Sequence, residues 1–300
     1  MVKVGVVGVG SMGQYHARLY SELDCELVGV ADINFERAKE IGVKYGTNYY
    51  KDYRVLLDKV DAVSVAVPTL SHGKVALDFI RRGIHCLIEK PIASNLEEAK
   101  EMIEEAKKNR VKLMVGHIER FNPAVIKLKE LVEKGALGKL LILSIRRVGP
   151  VNPRVKETGV ILDFATHDID IARYMVGKEP LNVFAKFGSI KNERDDHAVV
   201  ILDFGETTAV IEANWLTPHK VRSLVATGTH GIAYLDYIEQ NLEIYDAEWK
   251  KIPEIKKEEP LRLELKHFLD CVKNDKKPLV DGEEGLKVLE IALKAYGKSK

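Results

Sequence analysis

Through about the first 120 residues, short unbroken apolar runs alternate with longer stretches whose apolar residues recur every three or four positions. The runs 2–8, 27–31, 47–50, 62–67, 85–89 and 112–115 predict strands, and 12–21, 35–45 and 71–82 predict helices. Ser94 and Glu97 form a capping-box pattern that starts a further helix to about Lys108. Strands that are apolar at nearly every position predict a parallel sheet buried on both faces, with the helices as crossovers. After about residue 120 the pattern changes. The run 139–147 reads as a long strand and 160–175 as an amphipathic helix. Alternating runs at 183–187, 198–204, 208–215, 223–227 and 232–235, with turns at Gly205-Glu206 and Thr229-His230-Gly231, predict a mostly antiparallel sheet. Helices at about 261–274 and 282–295 follow a charged, solvated stretch at 251–260. The expected division is an α/β domain over 1–120 and an α+β domain over 121–300, with the terminal helices free to pack back on the first.

Composition narrows the function classes. A chain of 300 residues suits two domains. With 46 basic and 45 acidic residues the formal net charge is +1, so nucleic acid and anionic membrane surfaces are not expected partners. No apolar run reaches the roughly 18 residues of a membrane span, and the first residues enter a strand with no signal-peptide pattern. Cys25, Cys86 and Cys271 are odd in number and widely spaced; they read as reduced thiols of a cytoplasmic protein, with no metal site.

The segment Gly8-Val9-Gly10-Ser11-Met12-Gly13 follows the first strand and opens the first helix. In that context G-x-G-x-x-G is a dinucleotide fingerprint. Gly8 permits the turn, Gly10 lets a pyrophosphate approach the backbone, and Gly13 lets helix and strand pack closely. Ser11 and Met12 complete the loop whose N–H groups face the phosphates. The first domain is therefore expected to be a Rossmann domain. Asp32 ends the second strand, 19 residues after Gly13. A carboxylate there accepts from both ribose hydroxyls and repels a 2′-phosphate, which favours NAD; Arg37 softens that preference towards NADP. The alternative for Asp32 is a helix cap, with Asn34 as a second candidate cap. Pro68, Thr69 and His72 follow the fourth strand on the nicotinamide side, although His72 is equally readable as a helix-start residue facing solvent. Glu89-Lys90-Pro91 ends the fifth strand, where open α/β sheets bind ligands. It places one ammonium group beside the cofactor.

Asp163 and His167 lie four apart on the predicted helix and so share one face. A histidine is a natural proton acceptor when an alcohol is oxidised, and Lys90 can stabilise the alkoxide as hydride leaves. Alone, such an Asp–His pair is usually a surface pair. Together with Gly8-x-Gly10-x-x-Gly13, Glu89-Lys90-Pro91 and His117-Ile118-Glu119-Arg120-Phe121-Asn122-Pro123, it resembles the glucose-fructose oxidoreductase/inositol dehydrogenase/MocA family over essentially the whole chain. The resemblance implies a Rossmann domain followed by a domain with a large, mostly antiparallel open sheet. It implies Lys90 and His167 as the catalytic pair, with Asp163 assisting substrate binding. It also implies oxidation of a secondary hydroxyl of a sugar, cyclitol or nucleotide sugar, or reduction of the ketone. Homodimers or homotetramers would form through the open sheet face. The short form resembles nucleotide-sugar 3-dehydrogenases, including those acting on UDP-N-acetylglucosamine. Arg120, Asn122, Arg154 and Lys156 are candidate substrate contacts, with Arg147 and Lys220 as further cations suited to an anionic group. Each cation is otherwise a solvated surface charge. Three rivals stand beside this reading. One is a metal centre drawn from His167, Asp168 and Asp170 or from Asp195, Asp196 and His197. The others are a redox-assisted glycosidase and a non-catalytic NAD-binding sensor.

Overall fold

The computed structural model describes residues 1–150 and 158–297, and they form two compact units. The first joins Met1–His117 to Leu261–Leu289; the second joins Ile118–Pro260 to the segment from Glu290. The alternation of runs and helices shows only one break, near 120. The helix after Pro260 returns to the first unit.

In the first unit the chain runs β1 (Lys3–Val7), α1 (Gly13–Glu22), β2 (Glu26–Ala31), α2 (Phe35–Lys44), β3 (Asn48–Tyr50), β4 (Ala62–Val65), α3 (His72–Ile80), β5 (His85–Glu89), α4 (Leu96–Lys108) and β6 (Leu113–Gly116). The six strands are parallel in the order β3-β2-β1-β4-β5-β6. The order reverses between β1 and β4, the switch point at which such sheets bind ligands. Both faces are covered, so Val4, Val6, Val63, Val65, Leu87 and Ile88 are fully buried, as the unbroken apolar runs require. Helix α4 is capped by Asn95, whose side chain accepts from the Glu98 N–H, one residue later than the Ser94–Glu97 box. Both registers place a glutamate three residues on; Ser94 Oγ instead donates to the Glu98 side chain.

The second unit begins with α5 (Pro123–Glu133), which the strand-dominated pattern did not reveal. It then runs β7 (Leu140–Pro150), α6 (Thr166–Val176), β8 (Asn182–Gly188), β9 (His197–Asp203), β10 (Thr208–Asn214), β11 (Leu216–Gly228), β12 (Ile232–Asp236), β13 (Asn241–Tyr245) and β14 (Lys250–Lys251). Helices α7 (Pro260–Lys273) and α8 (Gly282–Ala295) close the chain. The eight strands are ordered β14-β13-β12-β11-β7-β10-β9-β8, and only β7 with β10 is a parallel pair. One face buries Leu143, Ile145, Val200, Leu202, Ile211, Leu224 and Leu235. Helix α6 packs against β7 and β10, and α5 against β12 and β13. The alternate positions Ile142, Phe184, Val199 and Tyr234 stay exposed on the other face.

Candidate active site

The fingerprint loop is built around absent Cβ atoms. Gly8 has φ +81°, and a Cβ there would lie 2.6 Å from the Ala66 carbonyl oxygen at the end of β4. A Cβ on Gly13 would lie 1.8 Å from the Gly8 oxygen, whereas one on Gly10 would meet nothing within 4 Å. Two glycines therefore close the turn and the third keeps the space over it clear. Asn34, Asn95 and Asn122 cap α2, α4 and α5 with their side chains, but α1 has no side-chain cap and no acid in its first turn. Its leading N–H groups are thus available to an anion, with Ser11 and Met12 at the entrance. Asp32 accepts from the Val9 N–H at 2.9 Å and from the Asn34 N–H at 2.8 Å. Asn34, not Asp32, caps α2. Arg37 donates to the Val9 carbonyl at 2.9 Å, to Gln14 and to Glu40, so its guanidinium clamps the loop and is engaged on three sides. A cleared loop, an uncapped helix start and a carboxylate at the end of β2 fit a dinucleotide with a free ribose 2′-hydroxyl.

Beyond β4, Pro68 is exposed and Thr69 begins a single 3₁₀ turn. His72 does not face solvent. It is 1 % exposed, with Nδ1 at 2.9 Å from the Pro91 oxygen and Nε2 at 2.9 Å from the Val67 oxygen. Burial draws its pKa below the usual imidazole value despite the two carbonyls. The ring lies between the loop after β4 and the loop after β5, and its one N–H braces them through whichever carbonyl it meets. Lys90 is half-buried at the end of β5, and its bond to Pro91 is cis. Glu89 beside it is buried, its Oε1 2.8 Å from His16 Nε2. Burial would raise the Glu89 carboxyl, but the His16 hydrogen bond and nearby positive charge, Lys90 included, hold it below the usual glutamate range. His16, Ser64 and Tyr20 behind it escaped sequence reasoning. The available signals were a serine within the apolar run of β4 and a histidine on the buried face of α1.

In the second unit, Ile161–Ala165 forms a π-helical turn that runs directly into α6. Such turns recur at functional sites. Asp163 lies in it, His167 one position into α6, and both are half-buried. The turn is held at its start by Asp195, whose backbone oxygen accepts from Val160 N–H at 2.8 Å and whose Oδ2 accepts from Ile161 N–H at 3.1 Å. A Cβ on Gly159 would lie 1.6 Å from Asp195 Oδ1, so glycine is required for the carboxylate to enter. The Tyr296 hydroxyl donates to the same carboxylate at 2.8 and 3.0 Å, and its ring meets Phe187 edge-on. Arg222 on β11 lies 4.4 Å from the centre of the Phe164 ring and donates to the Val148 carbonyl. Burial, then repulsion from Arg147, draws Arg222 down to about 10, against the pull of Asp168, Glu119 and Asp163. Its place beside this turn was not read from the sequence.

The substrate candidates divide. Arg120 is buried, its Nε and Nη2 on the Asp170 carboxylate at 2.6–3.0 Å. Asn122 is buried, caps α5 and donates to the Tyr237 oxygen at 3.0 Å. Both engage partners within the second unit. Arg147 is paired with Asp168 and Glu119. Burial opposes its charge, and the two carboxylates override that and keep it ionised. Asp168 and Asp170 therefore face guanidinium groups, and Asp196 accepts from Ile190 and Lys191 N–H and pairs with His197. Among the described residues no cluster of histidine, cysteine and acid side chains could hold a metal. Arg154 and Lys156 lie outside the described residues. No helix of the described residues is long and apolar enough to cross a membrane.

The chain matches the oxidoreductase family with an NAD-binding Rossmann fold over residues 2–117, and the GFO/IDH/MocA C-terminal domain over 125–234. It is 30 % identical to the UDP-N-acetylglucosamine 3-dehydrogenase of Acidithiobacillus ferrooxidans, with 97 % of this chain and 95 % of that protein covered. A solved structure of that enzyme superposes with a TM-score of 0.92 over 99 % of this chain and 97 % of the other. The scyllo-inositol 2-dehydrogenase (NAD(+)) of Bacillus subtilis is 31 % identical, with 98 % and 93 % covered. The fold, the motifs and these full-length likenesses agree: the chain belongs to the GFO/IDH/MocA family and is an NAD-dependent oxidoreductase.

Proposed function

We propose that the substrate is a nucleotide sugar of the UDP-N-acetylglucosamine type, oxidised at a secondary ring hydroxyl. The observation that carries this is the nearly complete mutual coverage with the 3-dehydrogenase, 97 % and 95 %. The inositol 2-dehydrogenase at 31 % identity supports a second reading, a free cyclitol as substrate. Bound NAD supplies the hydride acceptor. Lys90 donates a hydrogen bond to the reacting oxygen and stabilises the charge that builds on it as the C–H bond breaks. His167 takes the hydroxyl proton, and Asp163 holds a neighbouring substrate hydroxyl. Asp32 and the loop from Gly8 to Gly13 hold the adenosine and pyrophosphate, with Pro68 and Thr69 near the nicotinamide. The exposed face bearing Ile142, Phe184, Val199 and Tyr234 is proposed to join subunits into a dimer or tetramer. Light scattering on the purified chain tests that part, and a mass of one 33.7 kDa chain would sink it.

The test of substrate is NADH absorbance with UDP-N-acetylglucosamine, scyllo-inositol and myo-inositol in parallel. Turnover at least about tenfold higher with the nucleotide sugar is expected, a difference of roughly 1.4 kcal/mol in transition-state binding. Preference for an inositol selects the second reading. Release of a sugar substituent without net NADH would identify redox-assisted hydrolysis instead.

A further inference from the structure

A line of buried polar groups crosses the first unit behind Lys90. Tyr20, Ser64 and His16 are 0 % exposed and Glu89 is 9 % exposed. The Tyr20 hydroxyl is 2.8 Å from Ser64 Oγ, which is 3.0 Å from His16 Nδ1, and His16 Nε2 is 2.8 Å from Glu89 Oε1. One arrangement of protons gives every donor a partner: Tyr20 donates to Ser64, Ser64 to His16, and His16 to Glu89. All three hydrogen bonds then point the same way and end on one carboxylate. Burying such a chain is costly, and apolar side chains of similar volume would serve the core at least as well. A polar line fixes the charge state and orientation of its terminal group. The groups around that terminus are His16 from α1, His72 from α3, Lys90 itself, and Gly116 on β6, whose missing Cβ would lie 3.2 Å from the Glu89 carboxyl carbon. At the far end Glu264 of α7, itself buried, adds negative charge near Tyr20. Burial, eased by the Ser64 hydrogen bond, raises the pKa of the Tyr20 hydroxyl, so it remains a donor.

We propose that His16 is a positioning residue for Lys90, acting through Glu89, with Ser64 and Tyr20 holding the imidazole in the tautomer that keeps the carboxylate in place. The line thereby sets how firmly the Lys90 ammonium is held at the end of β5. This rests on the reading of Lys90 as the group that activates the substrate hydroxyl.

The test measures Lys90 directly and needs no substrate. Amines of the full chain are acetylated with dilute acetic anhydride at pH 8 and resolved by peptide mass spectrometry, with exposed Lys44 and Lys139 as internal standards. Glu89→Gln removes the negative charge on which the line ends and is expected to raise the Lys90 rate by about tenfold relative to the standards. His16→Gln is expected to raise it by about threefold, and Tyr20→Phe by less in the same direction. In turnover assays His16→Gln lowers kcat with little change in the KM for NAD. A Lys90 rate unchanged in folded His16→Gln overturns the proposal. If that variant does not fold, Tyr20→Phe, which deletes one oxygen, carries the test: a lower melting temperature with an unchanged Lys90 rate assigns the line to the core alone. The underlying reading fails separately, through Lys90→Ala retaining turnover whatever the labelling shows.

Discussion

Lys90 and His167 are supported by different kinds of structure. Behind Lys90 stand side-chain hydrogen bonds between residues 44 to 73 positions apart, converging on the carboxylate of Glu89. Around His167 the support is backbone and ionic: Asp195 holds the start of the π turn, and Asp168 and Asp170 face Arg147 and Arg120 on the buried side of α6. A strand end presents one residue, so its orientation must come from other elements. A helix start presents several, and its own N–H groups can be gripped directly. The first arrangement should respond to its one carboxylate, Glu89, and to the loss of single oxygens behind it, and the second to changes in several carboxylates.

The broadest break in this comparison removes the two groups themselves. Lys90→Ala and His167→Ala should each lower turnover by about 100-fold or more, the scale of a lost general acid–base or electrostatic contribution. NAD affinity, followed by fluorescence titration, should stay within about threefold. A loss of NAD binding equal to the loss of turnover in His167→Ala would place the histidine outside the chemistry.

Substitutions in the fingerprint loop separate holding the cofactor from holding the fold. Gly13→Ala sets a methyl group 1.8 Å from the Gly8 oxygen, so the turn must open and both NAD binding and stability should fall sharply. Gly10→Ala meets no protein atom within 4 Å, so the melting temperature should hold while NAD affinity drops. Equal losses of stability in the two variants would contradict the cleared space over Gly10.

Much of the first unit was legible because its strands are apolar throughout and its glycines carry a spacing with a physical reason. Asp32 and Lys90 were placed by where β2 and β5 end. What stayed hidden was pairing between residues distant in sequence. Arg120 looks like a cation offered to a substrate until Asp170, 50 positions away, is found on its guanidinium. His72 does start α3, but nothing in the chain announces that it will be buried there with the Val67 and Pro91 carbonyls turned towards it. Helix α5 was missed amid a strand-dominated stretch, although Asn122-Pro123 is a helix-start signal. In the second unit Asp163 and His167 stood out only together with the other motifs, whereas Arg222, brought beside the turn by its pairing with β7, did not.

The latch on the His167 side offers a milder break. Tyr296→Phe removes the hydroxyl that holds the Asp195 carboxylate but keeps the ring against Phe187. A hydrogen bond to a charged group contributes about 1.5–3 kcal/mol at most, so a melting temperature lower by several degrees is expected. Turnover should fall about threefold to tenfold with NAD affinity unchanged. Unaltered kcat in a destabilised Tyr296→Phe would confine the latch to stability and leave the π turn held by Asp195 alone.

The smallest expected effect contrasts, by pH, a buried carboxylate of the second unit with the oxygen line of the first. Burial would raise the Asp196 carboxyl, but the His197 hydrogen bond and the N–H groups of Lys191 and Ile190, with Asn192, hold it down at about 2. An unfolded aspartate titrates near 3.9, so below that value the unfolded chain takes up a proton that the folded carboxylate still resists. The stabilisation is therefore complete above about pH 4 and is lost as pH falls towards 2. Asp196→Asn should melt below the parent chain at pH 6, and the gap should narrow as acid is added. Tyr20→Phe, on the Lys90 side, removes no carboxylate, so its deficit in melting temperature should stay nearly constant over the same window. Parallel pH dependences for the two variants would show that carboxylate charge is not what sets Asp196 apart from the Tyr20 line.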